Sequence, residues 1–250
     1  MFQLGYNMKQ LTRDRNRFEL YYRQQVGRAI LRQIAPVLDD LRTMPAISVP
    51  LYIDPEPVRA VLLDINSRVG VYFSDAYRKK LIGKKDVSEG WRTFFDQFIL
   101  PILNRRTAQR VTAITETTQK LIRESIQRGI ADGLGIDKIA GAVRSDMIDS
   151  TAWRALMIAQ TEVISVSNQS AYEGAESAGI PYKKFWSNSG LDGVRESHIF
   201  AQEWSYSQDG IDPNEKFDMG NGNFMMHPGD PEGPPEEIIN CRCTLIIEPV

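Results

Sequence analysis

At Pro181 the texture of the sequence changes, and that change does most to limit the fold. Before it, apolar residues recur at helical spacing over long stretches; after it, Gly, Pro, Asn and Asp crowd between short apolar runs. Sustained 3.6-residue periodicity calls for helices packed on helices, and short apolar runs between turn formers call for short strands and loops. The expected architecture is mainly α: a helical N-terminal part followed by a small α+β C-terminal module with long loops.

Residues 8–42 read as one long helix, with Leu11, Phe18, Tyr22, Val26, Ile30, Ile34 and Leu41 on its apolar side. Pro36 is expected to kink or break it. Pro45, Pro50, Pro55 and Pro57 mark an extended connector, and Asp54 is placed to cap a second helix running to about Leu81. Gly83 and Lys84-Lys85 follow, then a third helix over Ser88–Asn104, interrupted by Pro101. Residues 107–130 are the cleanest amphipathic stretch, with Ile114, Leu121, Ile122, Ile126 and Ile130 on one face and Gly129, Gly133 and Gly135 at its end. A short helix over Ile136–Met147 is expected next, then a more apolar one over about 152–178, capped by Ser150 or Thr151 and closed by Gly179 and Pro181. Phe185-Trp186, Glu203–Tyr206 and Thr244–Ile247 read as strands. The loop-rich stretch 188–240 is long enough to demand a function or something that pins it.

The net charge of −2 points to no partner, but its distribution is uneven. Lys9, Arg13, Arg15, Arg17, Arg23, Arg28 and Arg32 stand against only Asp14 and Glu19, whereas twelve acidic residues after Trp186 stand against Arg195, Lys216 and Arg242. The basic helix is a candidate contact for DNA phosphates or a partner protein, the alternative being a solvated face; Arg78-Lys79-Lys80 with Lys84-Lys85 has the same two readings. Met1–Tyr6 lacks the pattern of a signal peptide, and no apolar run approaches a membrane span, so no membrane partner is expected. The two cysteines, Cys241 and Cys243, cannot staple distant segments, which fits synthesis in a reducing cytosol.

Four pieces then occur in order. They are Arg154 with Ile158-Ala159-Gln160-Thr161-Glu162-Val163; Trp186 followed by Asp192, Arg195, Ser197 and His198; Pro228-Gly229-Asp230-Pro231; and Asn240-Cys241-Arg242-Cys243. In this combination the sequence resembles the phage head-morphogenesis family typified by the minor head proteins of phages Mu and SPP1. The helix pair at 112–147 also looks like the segment preceding that core, while residues 1–105 carry no matching motif. One departure is Ile199-Phe200-Ala201-Gln202-Glu203, where the family usually has a Leu-Asp-Gly type stretch after the histidine.

The resemblance implies a division into a helical docking region, 1–105, and a head-morphogenesis domain, 106–250. It implies a non-enzymatic minor capsid protein of a tailed phage, inside the virion near the portal vertex and made in the host bacterial cytoplasm. The expected partners are the portal protein, major capsid or scaffolding protein, and non-specific double-stranded DNA. Arg154, Thr161, Glu162, Trp186, Asp192, Arg195, Asn240 and Arg242 are its structural motif residues. Toxin and ADP-ribosyltransferase domains are sometimes fused to this module, and none is expected here. A metal-dependent nuclease and a purely structural neck or scaffold component are the alternatives.

Ligand chemistry adds a further candidate. Thiolate and imidazole are standard zinc ligands, so Cys241, Cys243 and His198, with His227 or Asp192 as a fourth, could form a structural zinc site. The other readings are a buried thiol pair packed as small hydrophobes, or a redox role. Glu162, in an apolar helix, needs a partner; Arg195, Arg242 and Arg154 are candidates for a bidentate bridge. Asp192, Glu196 and His198 would serve a nuclease only if they converged, and Asp209, Asp212, Asn214 and Asp218 lack the ligand order of a calcium loop. Removal of residues 1–35 is expected to leave the C-terminal module folded.

Overall fold

A computed structural model describes residues 8–44, 48–82 and 90–250. The protein is mainly helical, with a small C-terminal module of short antiparallel strands and loops. In chain order the elements are α1 (Met8–Thr43), α2 (Glu56–Ile82), α3 (Trp91–Phe94), a π-helical turn (Phe95–Ile99), α4 (Leu100–Asn104), α5 (Thr107–Ala131) and α6 (Ile136–Glu176). Then follow β1 (Tyr182–Ser187), α7 (Glu196–Ser207), β2 (Phe217–Asp218), β3 (Phe224–Met225), α8 (Pro235–Ile238) and β4 (Thr244–Pro249). Pro45 and the stretch 83–89, with Gly83, Lys84, Lys85 and Ser88, lie outside the described residues, as does Met1–Tyr6.

The chain divides into two compact units that interleave in sequence. One comprises Leu20–Leu63 and Arg106–Ala159; the other comprises the described residues of Met1–Glu19 with Asp64–Arg105 and Gln160–Val250. These units partition the chain differently from a division at residue 105.

The first unit is helical. Ile34, Val37 and Leu41 of α1, Val49 and Ile53 of the connector, Ile122 and Ile126 of α5, and Ile139, Val143 and Met147 of α6 form its core. The buried seam of α5 differs from the face read from the sequence. Val111, Thr115, Thr118, Ile122, Ser125, Ile126 and Gly129 are buried, while Ile130 is 49% exposed and Ile114 and Leu121 are partly so. Small polar residues can occupy that seam because each hydroxyl is satisfied. Thr115 Oγ1 accepts from Gln33 at 3.3 Å, Thr118 Oγ1 from Arg154 at 2.9 Å, and Ser125 donates to Asp146 at 2.6 Å.

The second unit holds the strands. β1 and β4 pair antiparallel, Tyr182 opposite Pro249 and Trp186 opposite Leu245, and β2 and β3 form a separate antiparallel pair. Trp186, Phe217, Met219, Met225, Leu245 and Ile247 are fully buried. The edges of the β1–β4 pair are occupied. Tyr77 Oη and Lys80 Nζ donate to the carbonyls of Leu245 and Ile247, at 2.8 and 2.5 Å, and Lys184 exchanges backbone hydrogen bonds with Ile211. Within this unit α2 and α6 approach so closely that a Cβ at Gly174 would fall 2.3 Å from the Ser74 carbonyl oxygen.

Four expectations are corrected. Pro36, expected to kink or break the helix, lies inside α1 on its exposed side and does not break it. Pro101 instead follows the π-helical turn and sits in the first turn of α4, where its missing N–H costs little. The helices expected at 136–147 and 152–178 are one helix, α6; Ser150 and Thr151 do not cap, because their hydroxyls bond back to the Met147 carbonyl at 3.2 and 2.5 Å. Glu203–Tyr206 is the end of α7, not a strand. Asp54 does cap as expected, accepting from the Glu56 N–H at 3.0 Å.

Candidate functional site

The second half of α6 presents Thr161, Ser165 and Asn168, and the Pro-Gly-Asp-Pro and Asn-Cys-Arg-Cys turns dock on them. Asn168 is the hub. Its Nδ2 donates to the carbonyls of Pro228 (3.0 Å) and Cys243 (3.1 Å), and its Oδ1 accepts from the Leu245 N–H (3.0 Å) and from Arg15 (2.7 Å). Ser165 Oγ donates to the Gly229 carbonyl at 2.7 Å. Asp230 holds the Pro-Gly-Asp-Pro turn shut, accepting from the N–H groups of Met226 and Glu232 at 2.8 and 2.9 Å. This turn needs its glycine: Gly229 has φ of +73°, and an added Cβ would lie 3.0 Å from Ser165 Cα. Gly229→Ala is therefore expected to cost about 1–3 kcal/mol from left-handed strain and contact with a helix backbone, read as a lowered urea midpoint with an unchanged slope.

Gln160 clasps the last motif from both ends of its amide. Nε2 donates to Asn240 Oδ1 at 2.5 Å, and Oε1 accepts from the Arg242 guanidinium. Asn240, at φ of +61°, also donates its N–H to Thr161 Oγ1 at 3.1 Å. Arg242 lies 3.8 Å from Glu19, and Arg195 donates to the Ile239 carbonyl at 2.6 Å. Glu162 is buried as expected, and Arg154, one of the arginines considered for it, donates to the Ile114 carbonyl and Thr118.

Beside this dock, α7 presents His198 to the turn before β4. His198 Nδ1 lies 3.2 Å from Cys243 Sγ and 3.8 Å from Cys241 Sγ, and all three residues are buried. The Cys243 N–H points at Cys241 Sγ, 3.4 Å away. On the other edge of the imidazole, Nε2 lies 3.0 Å from Glu237 Oε2, at ion-pair distance. Glu237 is held by Ser197 Oγ (2.8 Å) and Asn221 Nδ2 (2.7 Å). Burial alone would raise its carboxyl, but those hydrogen bonds and the nearby His198 hold it below the usual carboxylate range. Proton sharing between the sulfurs lowers the Cys241 thiol and raises that of Cys243. Trp186 packs edge-on against His198, ring centroids 5.1 Å apart. The cluster opens on a pocket of about 150 Å³ that Asp192 and Arg195 also line.

His227 does not join this cluster. Its Nε2 is 2.7 Å from Gln169 Oε1 and its Nδ1 3.1 Å from the Pro228 carbonyl. Glu196 is exposed and outside the pocket lining, so Asp192, Glu196 and His198 do not form one constellation. Asp212 and Asp218 of the acidic loop serve Lys183 and the Gly220 N–H.

The basic residues separate sharply. Arg13, Arg17, Arg23, Arg28 and Arg32 are exposed, and the Lys9 side chain lies outside the described residues. Arg15 is corrected as a candidate contact: it is buried, donating to Ser167 (2.8 Å), Thr244 (2.5 Å) and Asn168 (2.7 Å) over the Phe73 ring. Arg78 lies over Trp91, Lys79 pairs with Asp75, and Lys80 serves β4, so their charges are engaged within this unit. Sequence reasoning also missed Asn168, Glu237 and Lys184, and placed Gln160 in the motif helix without a role. Lys184 is fully buried, donates to the Met226 carbonyl at 3.0 Å and is pushed down to about 8 by burial.

Comparison with known proteins follows the same segment. Residues 120–246 match the family model described as phage Mu protein F like protein. The NAD(+)--arginine ADP-ribosyltransferase EFV of Enterococcus faecalis is 28% identical over 149 residues, which is 58% of this chain and 29% of that protein. The chain thus spans under a third of that relative's length. No solved structure matches the chain.

Proposed function

The chain belongs to the phage Mu protein F like family, and from that premise we propose that it is a minor head protein of a tailed bacteriophage. It sits inside the capsid near the portal vertex and assists head assembly and the packaging or delivery of DNA. The observation that carries this reading is the family match over 120–246, a span that holds the motif helix, the Pro-Gly-Asp-Pro turn and the Asn-Cys-Arg-Cys turn, all docked on one another in the second unit. Those contacts are those of a packed scaffold. Many of the motif polar atoms hold turns, and with the family match this supports reading the protein as non-enzymatic. Among the described residues no helix is long and apolar enough to cross a membrane.

The partners proposed are the portal protein, capsid or scaffolding protein, and duplex DNA met without sequence preference. Arg13, Arg17, Arg23, Arg28 and Arg32 are exposed charges of α1 available for phosphate or acidic protein surface. The residues after Trp186, at net −9 from three basic and twelve acidic side chains, face the opposite electrostatic demand.

Assembly with the cognate portal, scaffolding and capsid proteins tests the placement. The protein should enter particles only when the portal is present. Equal entry into portal-free particles would overturn it. DNA binding should weaken with salt, and each of these arginines that meets a phosphate should contribute about 0.9 to the log–log slope, a contribution lost on substitution by Ala. Portal-dependent entry without any DNA binding would leave the purely structural reading. DNA cleavage with a divalent ion, or transfer of ADP-ribose to arginine, would overturn the non-enzymatic one.

A further inference from the structure

We propose that Cys241, Cys243 and His198 bind one zinc ion through the two thiolates and Nδ1, with the fourth position facing the pocket bordered by Ser189, Asp192 and Arg195. The three ligand atoms lie within 4.8 Å of one another and all three residues are buried. A sulfur at about 2.3 Å and a nitrogen at about 2.05 Å from a tetrahedral zinc stand about 3.5 Å apart. The two observed Sγ–Nδ1 separations, 3.2 and 3.8 Å, bracket that edge. Both sulfurs are also within hydrogen-bond reach of Nδ1, but a single cation would bond all three atoms at once.

The surroundings are those of a metal-bound imidazole. A ligating histidine usually presents its second nitrogen to a carboxylate, which fixes its tautomer and orientation. Here Nε2 is 3.0 Å from Glu237 Oε2, within ion-pair distance though not aligned as a hydrogen bond, and Glu237 is in turn fixed by Ser197 and Asn221. The Cys243 N–H directed at Cys241 Sγ is a donor suited to a thiolate. Mixed sulfur and nitrogen donors select zinc over the hard cations magnesium and calcium. The ion would tie α7 to the start of β4 in a region whose strands are short. His227, engaged by Gln169, is not the fourth ligand; the open position is left to solvent.

Zinc binding should release protons from the thiol pair and give one ion per chain. Full-length protein, reduced and freed of metal, is titrated with Zn²⁺ and with Co²⁺. The expected results are one zinc per chain at micromolar free ion, and a cobalt spectrum with thiolate-to-metal charge transfer and intense tetrahedral d–d bands. Cys241→Ser with Cys243→Ser should lose both. Because that variant also alters two buried side chains, Glu237→Gln supplies a second reading as a positioning variant. It should retain one zinc per chain, with affinity lowered about 10–100-fold and its secondary structure intact. The proposal is overturned if reduced wild-type protein binds no zinc at micromolar free ion. It is equally overturned if bound cobalt lacks thiolate charge transfer, or if a folded Glu237→Gln protein binds zinc as tightly as wild type.

Discussion

Deletion of residues 1–35 is expected to abolish cooperative folding, and not merely to remove a contact surface. From its apolar spacing and charge, α1 reads as a separable docking element whose loss spares the rest. Its side chains are built into both compact units. Leu11 and Arg15 are buried in the unit that holds the strands, and Tyr22, Val26, Ala29, Ile30 and Ile34 are buried in the helical one. Full burial of a large apolar side chain contributes about 1.5–3 kcal/mol. Leu11, Tyr22, Val26, Ile30 and Ile34 together therefore contribute about 10 kcal/mol, an upper figure because unfolded chains already bury some surface. A typical domain has only about 5–15 kcal/mol of net stability. The truncated chain should show no thermal transition and should be degraded at low protease levels. A soluble product that melts cooperatively within a few degrees of the full chain would refute this. Single exposed substitutions such as Arg17→Ala are the appropriate probe of the helix surface, since they should change stability by no more than about 0.5 kcal/mol.

The sequence made the long helices legible because their apolar residues dominate the periodicity, and α1 and α2 fall within a residue or two of the expected bounds. It misled where burial is polar. On α5 the eye follows isoleucines, but Thr115, Thr118 and Ser125 occupy the buried seam, and their satisfaction comes from residues distant in sequence. On α7 the aromatic run Trp204–Tyr206 suggests a strand over a four-residue window. The buried residues His198, Ala201 and Ser205 repeat at helical spacing, but only one of them is apolar. Ser205 earns its place by accepting the Trp186 N–H at 3.1 Å.

The candidate site was legible as an inventory of pieces, not as a set of pairings. The order of the motifs is in the sequence, and so is the chemistry of Cys241, Cys243 and His198. Glu237 was not legible as the group behind His198, because it lies in a Pro- and Glu-rich stretch that reads as solvated loop. Thr161, Ser165 and Asn168 did leave a signal. Spaced four and three apart, they share one face of the helix, and that face receives backbone groups from elsewhere.

Arg15→Ala is expected to cost about 3–5 kcal/mol, the range for opening one side of a buried charged network. Arg15 is 3% exposed, and its three guanidinium nitrogens donate to Ser167, Asn168 and Thr244, which belong to α6 and β4. Burial lowers its pKa, although the carboxylate of Glu19 acts in the opposite direction. Alanine removes the donors, leaves a cavity beside Phe73 and strands buried acceptors, each of which carries its own desolvation cost. Arg15→Lys keeps the charge but offers a single nitrogen where a planar fork spans three acceptors, so it should recover only part of the loss. Chemical denaturation separates the two roles an arginine on this helix could have. A structural Arg15 lowers the midpoint strongly and leaves the salt slope of DNA binding unchanged in the folded fraction. An Arg15→Ala protein of wild-type stability with a shallower salt slope would instead make it a phosphate ligand, and the buried network described for it would be wrong.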